Sequence, residues 1–223
     1  MVVTNNYPRD FRKADLAFDF ILADVPCSGE GMFRKDPQAI QEWSPQNVEK
    51  CAELQRSIIE DIWPSLKPGG ILVYSTCTYN EHEDEKNIQW IIDQLGAQLI
   101  SIPVDPSWHV TSALGTGLSA AQHGGEDEGL LPVCRFIPGF TPGEGIFMAV
   151  LRKQNNDEAP RRKKDRQSAA RTQQSAYAKV ANLWLQENGA SGKGAWTVVE
   201  TPTIVRAIPT RWLPLYEKAA ITR

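Results

Sequence analysis

The sequence is poor in residues that hold metals or staple small folds, with four cysteines and three histidines in 223 residues. Cys27, Cys51, Cys77 and Cys134 form no CxxC pair, and only His82, His109 and His123 could join them around a metal. Neither a disulfide framework nor a zinc site is expected, and no metal is assigned. Long apolar runs are missing as well. No stretch reaches the roughly 18 apolar residues of a membrane span. The opening MVVTNNYPRD lacks the charged and apolar regions of a secretory leader. No membrane partner and a cytoplasmic location are therefore expected. Positive charge is not in excess either, because 24 Lys and Arg against 27 Asp and Glu leave a formal net charge of −3. Any grip on a polyanion must be local.

What is present suits a folded core, since 41% of residues are hydrophobic. FDFILAD at 18 to 24 reads as a buried strand that delivers Asp24 to its carboxyl end, and the loop residues Pro26, Ser28, Gly29 and Gly31 follow at once. Ser44 before Pro45 marks a helix start. The apolar positions Val48, Cys51, Ala52, Ile58, Ile59 and Ile62 give that helix a face, and it ends near Trp63 or Leu66. The turn Lys67 to Gly70 leads into a second strand, Ile71 to Thr76, with Cys77 at its end. Asn80 is the expected cap of the next helix, with Glu81, Glu83, Asp84 and Glu85 suited to its positive terminus and Gly96 closing it.

Two more strands are expected at 97 to 103 and 146 to 152, so strands and helices alternate and imply a parallel α/β sheet. Ligands of such sheets bind beyond the carboxyl ends of the strands, where the loops 24 to 31 and 77 to 80 converge. Three regions follow. Residues 1–154 form a partial α/β domain. Residues 155–174 form a polar, basic linker, with Arg161, Arg162, Lys163, Lys164, Arg166 and Arg171 clustered in or beside it. Residues 175–223 begin a small α+β module with a helix at 177 to 185 and strands WTVVE and TIVRAIP. GTGLSA at 115 to 120 imitates a dinucleotide fingerprint but lies in no βαβ unit and reads as a loop. Cys51 and Cys134 read as core.

The segments DVPCSGEGMFRKDP and STCTYNEHEDE, with KPGG before the second and CRFIPGFTPGEGIFMAVLRK at 134 to 153, resemble the RNA cytosine-C5 methyltransferases of bacterial 16S ribosomal RNA. The likeness covers most of residues 1 to 153. It implies a Rossmann-like methyltransferase sheet, S-adenosylmethionine as cofactor and RNA as partner. C5 of cytosine is a poor nucleophile until a thiolate adds at C6, and the resemblance gives that role to Cys77. It places Asp24 at both the cofactor and N3 of the base, and makes Cys27 the residue that assists release. Pro26, Ser28 and Gly29 then belong to the substrate loop. Arg34 and Lys35, just past it, are candidates for phosphate contact, with a solvated loop as the other reading. The similar enzymes bind the cofactor through an upstream Gly-rich loop and an acidic strand end that this sequence does not contain, and Tyr7 replaces an expected Asp. The expectation is a fragment, or a gene product with its front half missing, that alone binds cofactor weakly or not at all, and 175–223 would open an RNA-binding module. A transfer RNA methyltransferase and a non-catalytic RNA-binding fragment stay open.

Overall fold

The computed structural model describes residues 4–113, 130–154, 176–187, 196–200 and 205–220. The expected basic linker, the 115 to 120 loop and His123 lie outside them. In chain order the elements are α1 (Pro8–Lys13), β1 (Phe18–Asp24), α2 (Pro37–Glu42), α3 (Pro45–Ile62), β2 (Leu66–Thr76), α4 (Glu85–Leu95), β3 (Ala97–Ile100) and β4 (Ile102–Pro103). There follow β5 (Leu130–Leu131), β6 (Cys134–Phe136), β7 (Ile146–Lys153), α5 (Ala176–Glu187), β8 (Trp196–Glu200), β9 (Val205–Pro209) and α6 (Leu213–Ala220). The chain divides into two compact units: Ala17–Pro160, and Met1–Leu16 with Arg161–Arg223.

The Ala17–Pro160 unit is built on a sheet of order β1-β2-β7-β3, with β6 also paired to β7. The sheet is mixed rather than parallel. β1 and β2 are parallel neighbours, whereas β7 runs antiparallel to β2, β3 and β6. Alternating helices account for the β1 to β2 crossover, but β7 enters from the long segment after β6 with no helix between them, so alternation carries no information about its direction. The expected strand at 97 to 103 is interrupted at Ser101, after which β4 leaves the main sheet to pair with β5.

The Lys67 to Gly70 turn lies inside β2, not before it. Phe18 pairs with Leu66 and Phe20 with Ile71, so five steps on β2 oppose two on β1. Leu66 is fully buried, which keeps this end of the strand anchored while the extra residues bulge outward. Gly70 is required there, because a Cβ would come within 2.8 Å of the Lys67 carbonyl.

One face of the sheet carries Leu72, Tyr74, Phe147, Ala149 and Leu151, which pack with Ile59 of α3 and Ile88 and Ile91 of α4. Each fully buried aliphatic side chain there contributes roughly 2 kcal/mol. α3 starts as expected: Ser44 caps it through a 3.1 Å bond from the Asn47 N–H, and Pro45 occupies its first position. α4 starts later than expected. Asn80 Oδ1 accepts from the Glu83 N–H at 2.9 Å and caps a turn at 81 to 84, and regular helix begins at Glu85. Gly96 closes that helix with φ +66°. The opposite face of β1 is uncovered among the described residues, with Phe20 and Leu22 57% and 63% exposed, so β1 is not the buried strand expected.

In the other unit, Asp10 accepts a 3.2 Å bond from the Tyr7 N–H at the start of α1. β8 and β9 form an antiparallel hairpin, and Arg206 Nη1 donates to the Tyr216 hydroxyl of α6 at 2.9 Å.

Candidate active site

Because β1 and β2 are parallel neighbours, their carboxyl ends lie side by side. Asp24 is in register with Ser75, the Val25 N–H donates to the Ser75 carbonyl at 3.0 Å, and the Ser75 hydroxyl donates to Asp24 Oδ1 at 3.2 Å. Two residues on from Ser75, Cys77 Sγ lies 3.0 Å from Cys27 Sγ. The three groups singled out from the sequence therefore meet in one place.

Two thiols this close share protons. The Cys27 thiol is lowered to about 6, first by the hydrogen bond from Cys77, against burial, and further by the Gly29 backbone N–H. Cys77 is pushed up, first by that same bond and then by burial and the charges of Cys27 and Asp24. The first proton leaves easily because an S–H···S⁻ bond stabilises the anion. The second is held because two adjacent thiolates repel. The pair therefore gives up one proton readily and holds the second, with the lower proton affinity at Cys27.

The loops that carry the two sulfurs are joined by main-chain and side-chain bonds. The Gly31 N–H donates to the Cys77 carbonyl at 2.7 Å. Glycine is needed at 31 because a Cβ would lie 2.7 Å from that oxygen and 3.0 Å from Cys77 Cβ. Glu30 Oε2 accepts from the backbone N–H groups of Tyr79 (2.7 Å) and Asn80 (3.1 Å). Its Oε1 accepts from Asn80 Nδ2 and Trp43 Nε1, both at 3.1 Å.

Beneath the loops lies a buried polar layer. Glu83 is fully buried and accepts from the Ser28 N–H (3.0 Å), Gln55 Nε2 (2.7 Å) and Asn80 Nδ2 (2.9 Å). Gln55 also donates to the Pro26 carbonyl at 2.8 Å, and Asn87 donates to Gln55 at 2.7 Å. Arg135, 1% exposed, pairs with Asp84 at 2.8 Å, donates from Nε to Glu85 at 3.1 Å and from Nη1 to the Tyr79 carbonyl at 3.0 Å. Burial raises the Asp84 carboxyl to about 8 despite the opposing pull of Arg135, and the neighbouring charge of Glu85 adds to the rise. A single guanidinium faces two acids, so Asp84 holds its proton to a higher pH than an ordinary carboxyl.

The acids expected at a helix terminus do lie at the start of α4, with Asp84 at its N-cap and Glu85 in its first turn, and those at 83 to 85 also bond into this layer. Glu30, Gln55, Asn87 and Arg135 were not singled out from the sequence; the signal was a polar residue on an otherwise apolar helix face for Gln55 and an arginine at a strand start for Arg135. Ser28 is buried, with its backbone N–H bonded to Glu83. Gly29 has φ +89°, open to a residue without Cβ. Arg34 and Lys35 are exposed, and Lys35 pairs with the exposed Glu144 at 3.0 Å. Cys134 is core, raised to about 11 by burial, and Cys51 on α3 is half-buried. Beside the 77 to 80 loop a cleft of 390 Å³ is bordered by Trp43, Val48, Glu49, Asn80 and His82. No described helix is long and apolar enough to cross a membrane.

Residues 2–152 match the family model of the 16S rRNA methyltransferase RsmB/F. The ribosomal RNA small subunit methyltransferase F of Aliivibrio fischeri (strain MJ11) is 38% identical over 147 residues, 66% of this chain and 28% of that protein. Its namesake from Cronobacter sakazakii is 40% identical over 136 residues, 61% of this chain and 26% of that one. The chain thus spans about a quarter of the length of these curated relatives. Among solved structures, NSun6 from Pyrococcus horikoshii with SFG matches at a TM-score of 0.53 and 29% identity, covering 70% of this chain and 35% of that one. A methyltransferase homolog protein from the same organism matches at 0.50 and 30%, covering 68% and 44%. With the two-cysteine crevice lying inside the matched segment, the chain belongs to the 16S rRNA methyltransferase RsmB/F family.

Proposed function

We propose that this chain carries the base-handling side of an S-adenosylmethionine-dependent RNA cytosine-C5 methyltransferase that acts on 16S ribosomal RNA in the cytoplasm. The observation that carries the reading is the 3.0 Å separation of Cys27 and Cys77 at the end of two strands, beside Asp24.

The Cys77 sulfur adds to C6 of an extruded cytosine and passes its proton to Cys27, the thiolate of the pair. The electron pair of the C5–C6 double bond moves into the ring, and Asp24, having taken up a proton from solvent as the base enters, donates a hydrogen bond to N3 that stabilises that charge. When bound, S-adenosylmethionine supplies an electrophilic methyl group for C5. The C5 proton then leaves to water, the S–C6 bond breaks, and Cys27 returns its proton to the departing Cys77 sulfur. The ring recovers its double bond, and the thiol pair regains its resting state. Arg34 and Lys35, exposed beyond the loop, hold RNA phosphates.

The described residues fit the donor along one edge only. Asp24 lies on the same face of β1 as the exposed Phe20 and Leu22, so that side of the crevice has no wall among the described residues.

The test is to incubate the chain with methyl-labelled S-adenosylmethionine and either 16S ribosomal RNA or transfer RNA, then map the labelled cytosines. Label on C5 of ribosomal cytosine is expected, at low yield and only at high donor concentration, since the donor is held along one edge. RNA retained without label would leave only a binding role, and label confined to transfer RNA would overturn the substrate assignment.

A further inference from the structure

Cys27 and Cys77 sit on separate loops, and neither loop by itself fixes the distance between their sulfurs. Glu83 ties Ser28 and Asn80 from beneath, and the direct link between the loops is made at residues 30 and 31. Gly31 bonds the carbonyl of Cys77 itself, and Glu30 bonds the next two backbone N–H groups, Tyr79 and Asn80, with one carboxylate oxygen. The other oxygen ties the Asn80 side chain and Trp43, the residue that follows α2. Four donors thus converge on one half-buried carboxylate. A charged acceptor makes such bonds about twice as strong as neutral ones.

We propose that Glu30 is a positioning residue: its carboxylate clamps the 77 to 80 loop onto the 27 to 31 loop and so sets the separation of the Cys27 and Cys77 sulfurs. The proposal rests on the reading of this crevice as the methylation site and adds to it the residue that assembles the thiol pair. It acts through the backbone, because no bond from Glu30 reaches either sulfur. Only a side chain of glutamate length that accepts at both ends matches the four donors. Glutamine at 30 keeps one acceptor and turns an NH₂ group toward two N–H donors, so two bonds are lost and the loops part.

The readout is the pH dependence of alkylation by iodoacetamide, measured at each cysteine by mass spectrometry on the full chain, with buried Cys134 as the internal control. In the parent chain the Cys27 profile turns over near 6, as expected for a thiol lowered by its partner. In Glu30→Gln, with a cooperative thermal melt retained, the midpoint moves up by about one unit or more, toward the roughly 8.5 of an isolated thiol. A melt that stays cooperative with an unmoved midpoint overturns the proposal. If Glu30→Gln does not fold, Trp43→Phe removes one of the four bonds, and a smaller upward shift is expected; no shift in that variant also overturns it. Neither RNA nor methyl donor takes part in the measurement. A shifted midpoint in a chain that never methylates RNA would therefore sink the functional reading and leave the positioning role intact.

Discussion

Cys27 Sγ and Cys77 Sγ stand 3.0 Å apart although fifty positions separate them in the chain. The pairing makes each thiol's proton affinity depend on the other. Replacing Cys27 with alanine removes both the hydrogen bond and the charge that hold the Cys77 thiol up, so Cys77 titrates lower than in the parent chain. In the methylation reading, Cys77→Ala forms no covalent RNA adduct, while Cys27→Ala accumulates one because no thiol returns a proton to the leaving sulfur. Denaturing gels with labelled RNA distinguish the two. The reverse pattern would exchange the roles.

Gly31→Ala tests the closeness of the loops. The added methyl meets the Cys77 carbonyl at 2.7 Å and Cys77 Cβ at 3.0 Å, and both belong to backbone or first side-chain atoms that cannot swing away. Overpacking of this kind costs about 1–3 kcal/mol. Adduct formation is expected to fall at least tenfold while the chain still melts cooperatively, and an unchanged adduct yield would show that the contact has slack.

Glu83→Gln addresses the layer beneath. Three donors end on the carboxylate of this fully buried side chain, and a glutamine NH₂ would face at least one of them. Leaving a buried donor unmatched costs roughly 1–3 kcal/mol. Urea unfolding with an unchanged slope but an earlier midpoint is the expected result. An unaltered midpoint would argue that the layer repacks.

Asp84 gives the stability a pH signature. Its folded value of about 8 lies far above the ordinary 3.8, so between those limits the unfolded chain releases a proton that the folded chain keeps. Stability from this group is full below about 4, declines as pH rises and levels off above 8, with a slope of at most ~1.4 kcal/mol per pH unit. Asp84→Asn cannot ionise. Relative to the parent chain, its melting temperature is expected to gain steadily as pH rises from 5 to 8, because every other titrating group is common to both proteins. Parallel curves for the two proteins would refute this.

Much of the frame was legible in the sequence because local chemistry decides it: Ser44 and Pro45 start α3, Gly96 ends α4, and the apolar run 18 to 24 ends at Asp24. The two cysteine loops could be placed at one crevice since parallel neighbours share a carboxyl edge. The direction of β7 was not legible, for no helix precedes it and an apolar run reads alike in either orientation. Nor was the role of Lys67 to Gly70, whose turn chemistry also serves a bulge once Leu66 is pinned in the core. The polar layer stayed hidden for a third reason. Gln55, Glu83 and Arg135 look like surface residues one at a time, and only long-range packing brings their partners within reach.

The uncovered side of β1 bears on how the chain behaves in bulk. Phe20 and Leu22 project from a strand that, among the described residues, is hydrogen-bonded along only one of its two margins. An unpaired margin beside bare aromatic and aliphatic groups is a template for intermolecular β-pairing. Concentrated samples will therefore self-associate through this strand, and a lysine placed at Phe20, four positions before Asp24, will raise the solubility limit.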